Sequence, residues 1–434
     1  MSAAPRRSIA RALYRGGTAL LEAGALPFLH WRLKHGKEDA LRLPERLGRT
    51  SIPRPPGPLI WLHGASVGEG LALLPLIERL AGRGLQVLLT TGTVSSSRVL
   101  GNRMPPGAVH QFAPLDGPRA ARRFLDQWRP DLVIFAESEL WPNLLGEATR
   151  RRIPTALINA RMSARSFARW RRLPALARDL LGDFDIVLAQ TQADAKRYTA
   201  LSGRPVPSTG TIKFDAAPPP ANPAELAALQ RSVAGRPVWI AASTHAGEDQ
   251  DCCAVHRELS HRLPGLLTII VPRKVDRGPA LVAHAGQLGL SAGLRSRGDA
   301  IEPETDIHIA DTMGELGLFY RLQTAVFVGK SLVPAGGGQN PIEPAKLGNA
   351  VLHGPHTANF AEVYADLDAA GASVRVADMA DLGAALTNLL GDRMKLTQAA
   401  RKAALVIEAR MGATERTFEQ LQPYLPHDGS RAGS

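Results

Sequence analysis

Residues 58–80 read PLIWLHGASVGEGLALLPLIERL, and the parsing of this stretch decides the fold. Its opening run, PLIWLH, is apolar, bounded and short enough to be a buried strand, whereas LALLPLIERL places its apolar residues at helical spacing. The glycine-bearing GASVGEG (64–70) stands between them, so a strand hands over directly to a helix. The same succession recurs at LQVLLTTGT (85–93), DLVIFAES (131–138), TALINAR (155–161) and FDIVLAQT (184–191), with helix-like segments such as PRAARRFLDQW (118–128) between. This is a βαβ rhythm, which implies a parallel sheet covered on both faces.

The rhythm stops after GTIKFD (210–215). AAPPPANPAE (216–225) is so dense in proline that a packed element is not expected and a linker is. It then restarts at PVWIAAST (237–244), LLTIIVPR (266–273), IHIADT (307–312), TAVFVGKS (324–331) and AVLHGP (350–355). The expectation is an α/β protein of two doubly wound, Rossmann-like domains facing a central cleft. The expected limits are an N-terminal segment at 1–49, a first domain at 50–215, a proline-rich linker at 216–235, a second domain at 236–425 and a tail at 426–434. Ligands of such sheets bind beyond the carboxyl ends of the strands.

Composition narrows the function classes. The chain has 434 residues, 44% of them hydrophobic, and a formal net charge of +12, which at roughly 100–200 residues per domain fits two or three packed units. Residues 1–50 hold ten Lys or Arg against four Asp or Glu, so this end carries +6 of the excess. In RRSIARALYRGGTALLEAGALPFLHWRLKHGK (6–37), basic residues flank an apolar segment bearing Phe28 and Trp31, the pattern of a membrane-surface anchor or of a basic amphipathic helix packed on the protein body. Glu22 and Pro27 interrupt the apolar run, leaving it short of the roughly 20 residues a crossing needs. No small-residue cleavage site argues for a removed signal peptide. Basic runs with interleaved aromatics are missing from the rest of the chain, which speaks against a nucleic-acid partner. Cys252 and Cys253 are adjacent, a poor disulfide staple, and fit a reducing cytoplasm.

Chemistry-bearing residues gather at the strand ends: Ser66 and Glu69, the TTGTVSSS stretch, Glu137 and Glu139, Asn159 and Arg161, and Lys213, then STHAGE, PRKVDR, DTMGE and GGGQNPIEPA. In GASVGEG the glycines fall at 64, 68 and 70, which fails the dinucleotide spacing, and no Gly-Lys-Ser/Thr follows for a P-loop. What remains is a tight turn with Glu69 in the first turn of a helix. There the carboxylate either complements the helix dipole or serves chemistry. Glu139 has the alternative reading of an ion-pair partner, and Lys213 that of a solvated loop lysine.

WLHGASVGEG, ESELWPN, NARMSARSF, GTIKFD, AASTHAGE, VPRKVDR, DTMGELGLFY, VFVGKSLVPAGGGQNPIEPA and GPHTANF occur in the order seen in bacterial Kdo transferases, over residues of about 36–420. The chain resembles this family, which attaches 3-deoxy-D-manno-octulosonic acid (Kdo) to the lipid A precursor. The resemblance implies the two-domain GT-B fold and an inverting glycosyltransferase that uses CMP-Kdo. It also implies association with the cytoplasmic face of the inner membrane through the N-terminal segment. By the same resemblance Glu69 is the catalytic base, Glu137 a further required carboxylate and Lys213 a cation for the transition state. Arg273, Lys274, Met313, Gly314, Glu315, Asn340, Pro341, Ile342 and Glu343 then bind CMP-Kdo, and Ser66, Asn159 and Arg161 are assigned to the acceptor.

Four positions depart from the usual family pattern. Gln339 stands where His is common in GGHNP, Lys274 replaces the His after PR, and Ala246 and Ala164 each replace a Glu. Gln339 still donates a hydrogen bond and Lys274 keeps a cation beside a phosphate. No cofactor is expected, nor a metal in the catalytic step. Two D-x-D triplets exist, Asp183 with Asp185 and Asp249 with Asp251, but the first precedes its strand and the second lies in a helix where i and i+2 diverge. CMP leaves with a single phosphate, which Arg, Lys and helix N–H groups can hold. The competing readings are another GT-B transferase or epimerase acting on UDP-sugars, and a non-catalytic protein that binds anionic glycolipid at a membrane surface.

Overall fold

The computed structural model describes residues 9–101 and 103–426. Arg6 and Arg7 of the basic terminus, and the expected tail beyond Pro426, lie outside the described residues. The chain divides into two compact units, the first reaching to Ala216 and taking up the chain again from Met411, the second running Ala217–Arg410.

In the first unit β1 (Leu59–His63), β2 (Gln86–Thr91), β3 (Ala108–Phe112), β4 (Leu132–Ala136), β5 (Thr155–Ala160) and β6 (Ile186–Ala189) form one parallel sheet in the order β3-β2-β1-β4-β5-β6. Every residue of β1 is buried, because alternate side chains feed opposite faces. Leu59 and Trp61 join Phe124, Val133 and Leu157 on one side, while Ile60 and Leu62 join Leu73, Leu76 and Ile134 on the other. Full burial of such a side chain contributes roughly 1.5–3 kcal/mol, which is why these runs are apolar throughout rather than alternating.

The second unit holds β7 (Val238–Thr244), β8 (Leu267–Pro272), β9 (Ala292–Leu294), β10 (Ile307–Ile309), β11 (Ala325–Val328), β12 (Ala350–His353) and β13 (Ser373–Arg375). They form a parallel sheet in the order β13-β12-β11-β7-β8-β10-β9. Both units are doubly wound and Rossmann-like, with strand order reversing beside the first strand: between β1 and β4 in one, between β7 and β11 in the other.

Two expected boundaries move. The stretch expected as linker contains the helix Pro223–Ser232: the Asn222 side chain caps it by accepting from the N–H groups of Ala224 (2.9 Å) and Glu225 (3.3 Å). Asn followed by Pro at the first helical position is a helix start, so the proline here initiates structure instead of breaking it. The segment also packs within the second unit. Arg321 donates to the Pro219 carbonyl at 2.7 Å, and a Cβ on Gly317 would lie 2.3 Å from the carbonyl oxygens of Pro219 and Pro220. The helix Ala413–Leu421, expected in the second domain, belongs to the first unit. Its Ala413, Phe418 and Leu421 complete the cluster beneath the helix Val67–Ala81, and Asp215 accepts from the N–H groups of Gly412 and Thr414.

Of the N-terminal helices, Ile9–Ala23 docks on the first unit by a polar face, and Ala25–Lys34 buries Ala25 and Leu29. Arg11, buried, pairs with Asp179 and Asp183; Tyr14 donates to Asp116 at 3.0 Å. The Glu22 carboxylate accepts from the N–H groups of Arg119 (2.9 Å) and Ala120 (2.6 Å) at the start of the helix Pro118–Trp128. The opposite face is apolar and exposed: Ile9 is 82%, Leu13 71%, Leu20 79% and Leu21 75% accessible, with Phe28 and Trp31 half exposed. Among the described residues no helix is long and apolar enough to cross a membrane.

Candidate active site

In the first unit the functional side chains collect where the strand order reverses. Ser66 caps the helix Val67–Ala81, accepting from the Glu69 N–H at 3.3 Å and donating its hydroxyl to Glu69 Oε1 at 2.8 Å. Glu69 Oε2 accepts from the Ala65 N–H at 2.8 Å, so the carboxyl is folded back over the helix start. Its proton affinity is nevertheless raised above that of an ordinary glutamate, first by burial and then by the negative charge of Glu137, against the hydrogen bonds from Ser66 and Ala65.

Glu137 follows β4 directly and has left-handed backbone, φ 61°, a conformation that costs a glutamate about 1–3 kcal/mol and points to function. Its N–H donates to the Ile158 carbonyl at 3.0 Å, and its carboxylate pairs with Lys213 Nζ at 2.5 Å. Asn159, expected to bind the acceptor, is buried beneath this pair: its Oδ1 accepts from the Ile212 N–H at 3.2 Å and thereby seats the turn Ile212–Phe214 that carries Lys213. Arg161 lies one loop further along, its carbonyl accepting from Ser138 Oγ at 2.6 Å and Tyr198 Oη at 3.2 Å. Burial would raise the Glu139 carboxyl, but His63 and Trp141 hold it below the ordinary value, with Trp141 Nε1 donating at 2.6 Å. Thus Ser66, Glu69, Glu137 and Lys213 come together, and Asn159 acts from below.

The second unit places its candidates at the carboxyl ends of β8, β10 and β11. Arg273 and Lys274 are exposed in the turn after β8. That turn is anchored by Arg277, which makes a two-point bond to buried Asp249 at 2.5 and 2.7 Å. Met313, after β10, is 64% exposed beside Gly314 at φ 87°. Glu315 braces the same loop from below, both oxygens taken by Arg295 at 2.7 and 3.1 Å; Arg295 holds its carboxyl below the ordinary range. Arg295 also reaches Glu225 of the helix expected to be linker, at 2.5 Å. Asn340 Oδ1 accepts from the Ile342 N–H at 3.0 Å, so the first N–H of the short helix Ile342–Lys346 is already satisfied, while Asn340 Nδ2 donates to Glu343 at 3.1 Å. Pro341 and Ile342 are buried, leaving Asn340 and Glu343 as the partly exposed members of this group.

Three residues of this site were quoted within motifs but not expected to act: His245, Glu248 and Lys330. Glu248 is buried and accepts four backbone N–H groups, from His245 (3.1 Å), Lys330 (2.6 Å), Ser331 (3.0 Å) and Leu332 (2.9 Å). It fixes the loop after β11, where Lys330 is left-handed at φ 60°. His245 is pushed below the ordinary histidine value by burial, with Glu248 opposing and the nearby cations Lys330 and Arg273 adding to the push, so it is neutral near pH 7. Gln339 Nε2 lies 3.1 Å from His245 Nε2, supplying the hydrogen bond expected at this position. The cations Lys330 and Arg273 thus lie near His245, beside a glycine turn, a charge distribution that suits a phosphate. Among the described residues no group of three His, Cys, Asp or Glu could hold a metal ion; Asp183 and Asp249 are paired to Arg11 and Arg277, and Asp185 accepts from the Thr155 N–H at 2.8 Å.

Comparison with known proteins agrees with this division. Residues 41–216 match the family model described as 3-deoxy-D-manno-octulosonic-acid transferase (kdotransferase). The chain is 35% identical to the 3-deoxy-D-manno-octulosonic acid transferase of Bordetella pertussis, covering 95% of this chain and 99% of that protein. It is 34% identical to the enzyme of the same name from Haemophilus influenzae, covering 88% and 91%. Among solved structures it is similar to the UDP-GlcNAc 2-epimerase of Neisseria meningitidis bound to UDP-GlcNAc, with a TM-score of 0.55 over 85% of this chain and all of that one, at 14% identity, which speaks to fold alone.

Proposed function

Since the chain belongs to the 3-deoxy-D-manno-octulosonic acid transferase family, we propose that this glycosyltransferase moves Kdo from CMP-Kdo to the lipid A precursor at the cytoplasmic face of the inner membrane, with Glu69 as base. The observation that carries the role of Glu69 is its raised carboxyl at the reversal of strand order, opposite the Glu137–Lys213 pair. A hydroxyl of the glucosamine disaccharide attacks the anomeric carbon of Kdo, and Glu69 takes the hydroxyl proton as the new C–O bond forms. The bond from that carbon to the phosphate oxygen breaks, and CMP leaves with the electron pair. Base and leaving group act on opposite faces, so the anomeric configuration inverts.

Lys213, held by Glu137, answers the negative charge carried by the sugar carboxylate, and Arg273 and Lys274 answer that of the departing phosphate. Asn340 and Glu343 suit the nucleotide ribose, and the backbone at Met313 and Gly314 suits the cytosine. The exposed apolar face of the N-terminal helices lies on the bilayer surface and presents the first unit to its lipid acceptor.

The test is a transfer assay with CMP-Kdo and a tetraacylated lipid A precursor, in the presence of EDTA, with products weighed by mass spectrometry. Wild type should add Kdo despite the chelator, and Glu69→Ala should remain folded and inactive. Binding of the lipid without transfer would overturn the proposal in favour of a glycolipid-binding protein.

A further inference from the structure

Arg46, on the turn Leu43–Leu47, is buried with all three of its guanidinium nitrogens engaged. Nη2 donates to the Gly92 carbonyl at 2.7 Å and Nη1 to the Ala113 carbonyl at 3.1 Å, just past the ends of β2 and β3. Nε donates to one oxygen of Glu38 at 2.9 Å, and the other oxygen is taken by Arg32 of the helix Ala25–Lys34 at 2.7 Å. Glu45, beside Arg46 in the chain, accepts from the Phe112 N–H at 2.7 Å and fastens the turn to β3. Burial pushes the Arg46 guanidinium below its ordinary value, with Glu38 opposing. A buried ion pair of this kind gives little stability that packed hydrocarbon would not, whereas hydrocarbon cannot hold two carbonyls in place.

Both carbonyls bear on the segment that supports the base. The Ala113 N–H donates to the Thr91 carbonyl at 2.9 Å, so the fork grips residues 91 and 92 from two sides. Gly92 in turn donates its N–H to the Ala65 carbonyl at 3.1 Å. The Ala65 N–H is the backbone donor to Glu69 Oε2, at 2.8 Å. From the guanidinium to the carboxylate the path thus crosses only two residues, Gly92 and Ala65.

We propose that Arg46 is a positioning residue for Glu69, setting the turn after β1 from which that carboxylate receives its backbone hydrogen bond. The inference rests on Glu69 being the base and adds what holds it in place. Since Arg32 grips the far side of Glu38, the seating of the N-terminal helix and the set of the base share one chain of hydrogen bonds.

The test is Arg46→Lys in the full chain, which keeps the charge and loses the fork, so its effect on Glu69 reports geometry and not a changed field. Burial and then the Glu137 charge raise the Glu69 carboxyl, Glu139 adds to them, and the hydrogen bonds from Ser66 and Ala65 oppose. Weakening the Ala65 bond removes one opposing contribution, so the acid limb of the pH–kcat profile should move to higher pH. The plateau kcat should fall about 10–100-fold, with the KM of both substrates unchanged. Hydrogen exchange at the Ala65 amide should quicken about tenfold, as for the loss of one hydrogen bond. Gly92→Ala loosens the same link at another point, since its Cβ would lie 2.9 Å from the Ala65 carbonyl oxygen; it should give the same three changes even where the lysine variant does not fold. With Glu69→Gln inactive, an acid limb that stays in place, or an Ala65 exchange rate equal to wild type, overturns the positioning role whatever becomes of kcat. With Glu69→Gln as active as wild type, faster exchange at Ala65 leaves the link standing and removes the base, and unchanged exchange defeats both.

Discussion

Replacing Glu248 by glutamine tests whether the loop after β11, proposed to face the donor, is braced as the hydrogen bonds indicate. The carboxylate uses both oxygens: Oε2 receives the N–H groups of His245 and Lys330, and Oε1 those of Ser331 and Leu332. An amide has one oxygen, so its NH2 group must face two of these donors. Each buried N–H left unmatched costs about 1–3 kcal/mol, giving roughly 2–6 kcal/mol for the pair. For a unit of this size 1 kcal/mol moves the midpoint by about 2–4 °C, so even a 3 kcal/mol loss lowers the melting temperature of the second unit by roughly 6–12 °C. The loop should also lose its set conformation, since Lys330 is left-handed and its carbonyl accepts from the Gly338 N–H at 2.8 Å, coupling it to the glycine turn. Scanning calorimetry would follow the transition, and CMP titration the pocket, with affinity down about tenfold. A melting temperature and a CMP affinity both equal to wild type would refute the bracing role.

Three other perturbations bear on separate parts of the molecule. Because burial and then Glu137 raise the Glu69 carboxyl, kcat should fall as pH drops through a value above the ordinary carboxylate range; Glu137→Gln removes the second cause and should shift that acid limb to lower pH in a pH–kcat profile. In the same assay Glu69→Gln should cost about 10²–10⁴-fold in kcat. Leu13→Ser with Leu20→Ser, both on the exposed face, should leave thermal stability within about 0.5 kcal/mol per site yet cut vesicle co-sedimentation by roughly 100-fold, as two leucines worth about 1.5 kcal/mol each are lost from the bilayer contact. Gly317→Ala would push a methyl to 2.3 Å from the Pro219 and Pro220 carbonyl oxygens, costing about 1–3 kcal/mol in chemical denaturation, and an unchanged denaturation midpoint would contradict the packing.

Which strands the sequence reveals follows from where they sit. The ten read as apolar runs include every interior strand of both sheets, whose residues are buried on two faces. The three not anticipated, β3, β9 and β13, are all edge strands. β3 is AVHQF with its first three residues only half-buried, and β9 and β13 have three residues each, too few to show a period. The linker expectation fails for a different reason. Proline density is read as a breaker, but Asn222 and Pro223 satisfy a helix start, and the Arg295 that fastens Glu225 lies 70 residues away in the chain. The placement of the helix Ala413–Leu421 was likewise hidden, because its partners Asp215 and Phe418's neighbours Arg79 and Arg83 are remote in sequence.

The candidate residues were legible because doubly wound sheets present ligands to their strand ends. Their division of labour was not, and the topology explains it. The first helix after the leading strand carries a glutamate in both units: Glu69 after β1, Glu248 after β7. In both, the strand across the reversal of order ends in a left-handed residue, Glu137 after β4 and Lys330 after β11, a conformation that nothing in the residue types Glu and Lys announces. What differs is what that neighbouring turn offers. Around Lys330 it turns three backbone N–H groups toward Glu248, which is consumed as their acceptor and becomes a fixed part of the loop. Around Glu137 it brings a second carboxylate, so Glu69 receives only one N–H and one hydroxyl, and its burial together with this like charge raises its affinity for a proton. Equivalent positions thus yield a four-fold backbone acceptor in the second unit and, in the first, a carboxyl left with the raised proton affinity that the proposed base requires.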